Sequence, residues 1–232
     1  MPWFYVDYYY IILIIPALLF GFWAQAKVNS AYSKYSRVRN MRGYTGADAA
    51  RFILEQNGIY DVTICRTAGK LTDHYDPRNK TINLSEGVYD STSVAAVGVA
   101  AHEAGHAVQH AVGYFPIKVR EAVIPITQIG SYLYFPIIIL GIIFSYQPLV
   151  NAGIILFSFL AIFQLVTLPV EFNASNRAIT TLGRNEILYG DELRGAKAVL
   201  KAAALTYVAA LVSSLAQLLR LVLIFGGRNN RD

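Results

Sequence analysis

The chain has 232 residues, 55% of them hydrophobic, a formal charge of +5 and one cysteine, Cys65. The lone cysteine excludes an internal disulfide, suits a reducing compartment and reads as a small packing residue rather than a nucleophile. No charged side chain lies between Glu121 and Glu171, which excludes a wholly water-soluble domain, and the basic residues gather beside apolar stretches, which points to membrane topology and anionic lipid rather than nucleic acid.

In chain order, the first expected span covers residues 4–26 and is flanked by Trp3, Phe4, Tyr5, Tyr8, Tyr9, Tyr10 and Trp23, the aromatic residues of a membrane–water interface. Ala24-Gln25-Ala26 mimics a signal-peptidase site, but the start carries Asp7 and no basic residue, against a cleaved signal peptide. Lys27, Lys34, Arg37, Arg39 and Arg42 follow and hold that side in the cytoplasm, so the N-terminus is expected outside.

A water-facing segment is expected over residues 27–121. Thr45-Gly46-Ala47-Asp48 leads into a helix over Ala49–Gln56, which Asn57-Gly58 stops. Strand-like runs follow at Val62–Cys65, Leu71–His74 and Thr81–Leu84, with Asp76-Pro77-Arg78-Asn79 as a turn before the last. The small apolar run Ser93–Ala101 then begins a buried helix.

That helix carries His102-Glu103-Ala104-Gly105-His106, of the form H-E-x-x-H. Residues four apart share a helical face, so both imidazoles can reach one zinc ion. Glu103 then sits beside the metal without ligating it, placed to take a proton from an activated water. Such a motif also arises by chance, but two of the four histidines of the chain fall in it.

The uncharged stretch after Glu121 is too long for one crossing of ~30 Å of hydrocarbon, which takes ~20 residues. Tyr146-Gln147-Pro148 divides it into expected spans at 123–145 and 149–170, joined by an outer turn. This hairpin returns the chain to the side it left, so Glu171 shares a face with His102 and His106 and is the candidate third zinc ligand; catalytic zinc takes three protein ligands, and His, His and Glu is one such set. Residues 171–202 read as a second cytoplasmic segment, and 203–225 as a fourth span carrying the polar stripe Ser213, Gln217 and Arg220. An interfacial amphipathic helix is the alternative for that last segment.

Other candidates are weaker. Asn173 and Ser175 are expected outer partners for the ligand imidazoles. Arg177 is a candidate for an oxyanion or carboxylate, or an ordinary boundary charge. His74, beside the strands, is a candidate substrate contact or a surface histidine. His110 lies two turns beyond His102, too far to share its metal, and Gln109 and Val112 stand where a longer H-E-x-x-H-x-x-G-x-x-H motif has Gly and His. Strands just before the zinc helix offer an edge along which an extended polypeptide can lie.

The runs Asp73-His74-Tyr75-Asp76-Pro77-Arg78-Asn79, Asn83-Leu84-Ser85, His102-Glu103-Ala104-Gly105-His106-Ala107 and Glu171-Phe172-Asn173-Ala174-Ser175 resemble the YugP-like family of bacterial membrane zinc metallopeptidases, over nearly the full chain. The resemblance implies neutral zinc peptidase chemistry at a bacterial plasma membrane, with the motif histidines as ligands and the motif glutamate as base. The Glu171 segment is also similar to the E-x-x-A-D element of HtpX-type gluzincins, with Ser175 where that group has Asp. H-E-A-G-H occurs in FtsH-type proteases too, but this chain has no Walker A motif.

The expected fold is a mainly α membrane protein, a multi-span helical bundle with a small α+β zincin-like cytoplasmic domain. The expected activity is zinc-dependent cleavage of a polypeptide, either an extended peptide or a membrane protein, at the cytoplasmic face of the bilayer. The alternatives are an intramembrane metalloprotease and a non-catalytic membrane scaffold or adaptor. Charges on both sides of the motif (Glu86, Asp90, Lys118, Arg120, Glu121) count against the first, and the lack of a fourth, cysteine-type ligand nearby counts against a structural zinc scaffold.

Overall fold

The computed structural model describes residues 7–226. The start of the first expected span, residues 4–6, and the aromatic residues Trp3, Phe4 and Tyr5 lie outside the described residues. The protein is mainly helical, with one small sheet, and falls into two compact units. One draws on Met1–Ala24, Lys118–Leu168 and Thr206–Asp232, the other on Gln25–Ile117 and Pro169–Leu205.

Among the described residues, four helices are long and apolar enough to cross a membrane: Tyr10–Tyr35, Phe115–Ile143, Gln147–Arg184 and Gly190–Phe225. The first opens with a π-turn, Tyr10–Ile14, and continues as α1 (Ile15–Tyr35). Each helix outruns the apolar stretch that betrays it. α1 continues nine residues past Ala26, because Lys, Asn, Ser and Ala are compatible with helix once it is nucleated. Hydropathy marks the apolar stretch; the hydrogen-bonded ladder goes on beyond it.

The second unit adds shorter elements to the ends of the long helices. α2 (Gly46–Gln56) starts three residues before the expected Ala49, because Thr45 and Asp48 form a reciprocal capping box that captures the first turn. Three strands follow, β1 (Thr63–Thr67), β2 (His74–Asp76) and β3 (Thr81–Ser85). β3 is central, parallel to β1 and antiparallel to β2, and it buries Ile82 and Leu84 in the core. The second strand is a correction to the expected Leu71–His74. Leu71 adopts a positive φ of 56°, a turn conformation, so pairing begins only at His74. The turn at Asp76-Pro77-Arg78-Asn79 is present, with the Asp76 carboxylate accepting from the Arg78 N–H and the Asn79 side chain. A one-turn helix, α3 (Glu86–Tyr89), too short to leave a periodic signal, leads on.

α4 (Val94–Ala111) is the axis of this unit. Ser93 caps it by accepting from the Ala96 N–H, and the preceding segment is pinned where Asn40 N–H donates to the Thr92 carbonyl and Val94 N–H to that of Val38. Its Ala, Gly and Val residues are almost all buried. Small side chains let other backbones come close: a Cβ on Gly98 would lie 3.2 Å from the Ala196 Cβ, and one on Gly105 only 2.7 Å from the Ala174 carbonyl oxygen. Gly105, between the two motif histidines, therefore lets the segment bearing Glu171 rest against them.

The remaining helices are α5 (Phe115–Ile143), α6 (Gln147–Arg184) and α7 (Gly190–Phe225). The break between α5 and α6 covers residues 144–146, where Ser145 takes a φ of 49°, and so lies slightly before the expected Tyr146-Gln147-Pro148, whose Gln147 and Pro148 open α6. Pro125 and Pro136 in α5, and Pro169 in α6, sit inside helices, which packed apolar spans tolerate. Arg220 of α7, the odd charge of the last apolar segment, is held by the Asp7 carboxylate and lies over the Tyr10 ring, 5.4 Å from its centroid.

Candidate metal centre

His102 and His106 lie one turn apart on α4, and Glu171 comes from α6. The three donor atoms form a small triangle. His102 Nε2 is 3.2 Å from His106 Nε2 and 3.2 Å from Glu171 Oε2, and His106 Nε2 is 3.6 Å from the same oxygen. A tetrahedral zinc with bonds of ~2.0–2.2 Å sets its ligands roughly 3.3–3.5 Å apart. The triangle therefore fits one face of a zinc tetrahedron, with the fourth corner left for a non-protein ligand. Among the described residues, these three form the group that can hold a metal ion. The Glu171 side chain is 3% exposed, and both imidazoles are nearly buried.

The electrostatics follow from this crowding. Burial alone pushes the His106 imidazole down. The hydrogen bond to Glu171, the charges of Glu103 and Glu171 and the Gln109 amide outweigh it and hold the group above the ordinary histidine value. A dication in the triangle would compete with that proton.

Glu103 is buried but stands outside the triangle. Its Oε2 accepts a hydrogen bond from the Tyr75 backbone N–H at 3.0 Å. In β2 the flanking residues His74 and Asp76 are paired with Asn83 and Thr81 of β3, and Tyr75 turns its N–H the other way, from the free edge toward α4. β2 is itself secured by Asp73, whose carboxylate accepts from the Ser85 N–H at 2.7 Å and from its hydroxyl.

The outer candidates separate. Ser175 does meet a ligand, with its hydroxyl 3.1 Å from His102 Nδ1. Asn173 touches neither imidazole. It accepts from Gln109 Nε2 at 3.0 Å and from Arg177 Nε at 2.8 Å. Gln109 faces His106 Nδ1 at 3.0 Å and is completely buried. Sequence reasoning noted Gln109 only as a departure from a longer motif. Its position three residues after His106, on the same helical face, was the available signal. His74 is exposed on the edge strand, its ring held by the Thr72 carbonyl and the Asn83 side chain. His110 stands away from the triangle and packs its ring against that of Tyr75, 5.3 Å between centroids.

Residues 10–226 match the model of a family described as "Putative neutral zinc metallopeptidase". The chain belongs to this family. It is also 46% identical, over 223 residues, to a Bacillus subtilis protein named "Putative membrane protease YugP", an overlap of 96% of this chain and 98% of the relative. No solved structure matches it. Family and relative agree with the donor set: two imidazoles and a carboxylate are the oxygen and nitrogen ligands that zinc peptidases use. The resemblance read from the sequence is thus borne out, together with the mainly α membrane fold and its small α+β unit.

Proposed function

We propose that this chain is an integral membrane endopeptidase that hydrolyses polypeptide at the cytoplasmic membrane face, with His102, His106 and Glu171 holding zinc and Glu103 as general base. The observation that carries the reading is the donor triangle with a buried glutamate beside it but outside it. Bound there, zinc would lower the pKa of a water toward neutrality and polarise the scissile carbonyl. The protein groups do the rest. Glu103 takes a proton from the attacking water on its carboxylate and passes it to the leaving amine. The Tyr75 N–H fixes the direction of that carboxylate before substrate arrives. His102 and His106 stay neutral and aim their Nε2 lone pairs into the triangle.

An extended polypeptide would be the natural substrate to lie along β2, the edge strand of the sheet, beside Glu103. The basic cluster Lys27, Lys34, Arg37, Arg39 and Arg42 supports a cytoplasmic site, an outside N-terminus and four crossings of a bacterial plasma membrane. Two measurements test the proposal. Glu103→Gln is expected to keep zinc and lose cleavage by about 10²–10⁴-fold; full activity would remove Glu103 from the mechanism. Single cysteines placed through 86–118 in a Cys65→Ser background should react with an impermeant thiol reagent applied from the cytoplasmic side. Reaction only from the outer side would reverse the topology.

A further inference from the structure

The two imidazoles of the triangle are held in different ways. His102 Nδ1 meets a serine hydroxyl, which can either donate or accept, so that contact leaves the proton of the ring unassigned. His106 Nδ1 meets a buried amide whose orientation is fixed by its other partners. Gln109 Nε2 lies 2.8 Å from the Val170 main-chain carbonyl, which can only accept. It also lies 3.0 Å from Asn173 Oδ1, and that atom is identified as oxygen by Arg177 Nε, which can only donate, at 2.8 Å. Both hydrogens of the Gln109 amide are thus committed. Its Oε1 is what remains for His106, and an oxygen there requires a proton on Nδ1.

We infer that Gln109, oriented by Val170 and the Asn173–Arg177 pair, is a positioning residue that fixes the His106 tautomer and so presents its Nε2 lone pair to the metal. The inference rests on the zinc reading above and gives Arg177 a role through Asn173 rather than on substrate. A flipped amide would set its oxygen against the Val170 carbonyl at a completely buried position, so only one orientation is tolerable. Metal-ligating histidines depend on such partners, and losing one typically weakens metal binding 10–100-fold.

The test uses full-length protein purified in detergent, stripped of metal and titrated with zinc against a chromophoric chelator at fixed pH. Gln109→Leu should weaken zinc about 10–100-fold. Asn173→Leu touches neither imidazole, yet should weaken it in the same direction by a smaller factor. Asn173→Asp keeps an oxygen for both Gln109 and Arg177 and should bind at least as tightly as wild type. Nitrogen-15 NMR of the zinc-loaded protein should find the His106 proton on Nδ1, with faster exchange in Gln109→Leu. Unchanged zinc affinity in Gln109→Leu and Asn173→Leu, or His106 bound through Nδ1, overturns the inference. If Gln109→Leu fails to fold, judged by melting of the metal-free protein, the two Asn173 variants decide. Wild type that binds no zinc overturns the metal reading and this one together; wild type that binds with flat variants overturns only the positioning role.

Discussion

The two units of this protein solve the packing problem in opposite directions. In the unit that carries the sheet a core of large apolar side chains points inward: Ile53, Ile82, Leu84, Leu182, Ile187 and Leu188 are buried around the small residues of α4. In the helical unit only a small cluster, Ile138, Val150, Phe157 and Leu221, is buried, and many others point outward, with Tyr132 80% and Phe144 70% exposed. Small residues mark its close contacts instead. A Cβ on Gly153 would lie 2.5 Å from Ile138 Cγ1 and 2.9 Å from the Tyr134 carbonyl oxygen. Outward apolar surface is penalised by water and accepted by lipid, where association relies on close backbone approach and on polar pairs. The contrast identifies the solvent of each unit more directly than any single helix does.

Matched substitutions in the two units probe that contrast. The largest effect is expected at Gly105. Leucine there must displace the Ala174 carbonyl and carry Glu171 away from the histidines, so both stability and zinc affinity should fall, stability by about 1–3 kcal/mol or more. Gly153→Leu should cost a similar amount of stability in detergent yet leave zinc affinity within a factor of two or so. Equal losses of zinc in the two variants would erase the distinction between the units.

Next comes pH. The histidine triangle must shed protons to take metal, and His106 is held above the ordinary histidine value. Zinc affinity measured by chelator competition should therefore fall on acidification, starting above pH ~6.5. An affinity flat from pH 8 to pH 5 would contradict the ligand set.

A smaller effect is expected in the helical unit, where Arg220 is held by Asp7. Arg220→Met should reduce stability by about 1.5–3 kcal/mol, the range for a hydrogen bond to a charged group, with no change in zinc content. The smallest is expected at Tyr132: alanine there should shift stability by about 0.5 kcal/mol or less, since the side chain faces outward.

The legibility of the sequence follows the same division. His102, His106 and Glu171 were readable because helical spacing and an uncharged hairpin are strong one-dimensional signals. The four apolar helices were readable for the same reason, though not their ends, since helix continues where hydropathy stops. The Tyr75 N–H was not readable at all. Every residue but proline carries the same backbone donor, and only the register of β2 against β3 decides which one reaches Glu103. The shifted β2 was lost because an apolar residue, Leu71, takes a turn conformation that its side chain does not advertise. Gln109 was visible at helical spacing from His106, but its role depends on Asn173 and Val170, which stand more than sixty residues away.

The proposed chemistry of this protein depends on three side chains holding one metal. Zinc should be counted per chain in detergent-purified wild type, Glu103→Gln and Glu171→Ala, with peptide cleavage followed in the same samples. About one zinc per chain is expected in wild type and Glu103→Gln, with cleavage in wild type alone, and far less zinc in Glu171→Ala. Wild type without zinc, or Glu171→Ala that keeps a full complement and cleaves, would contradict it.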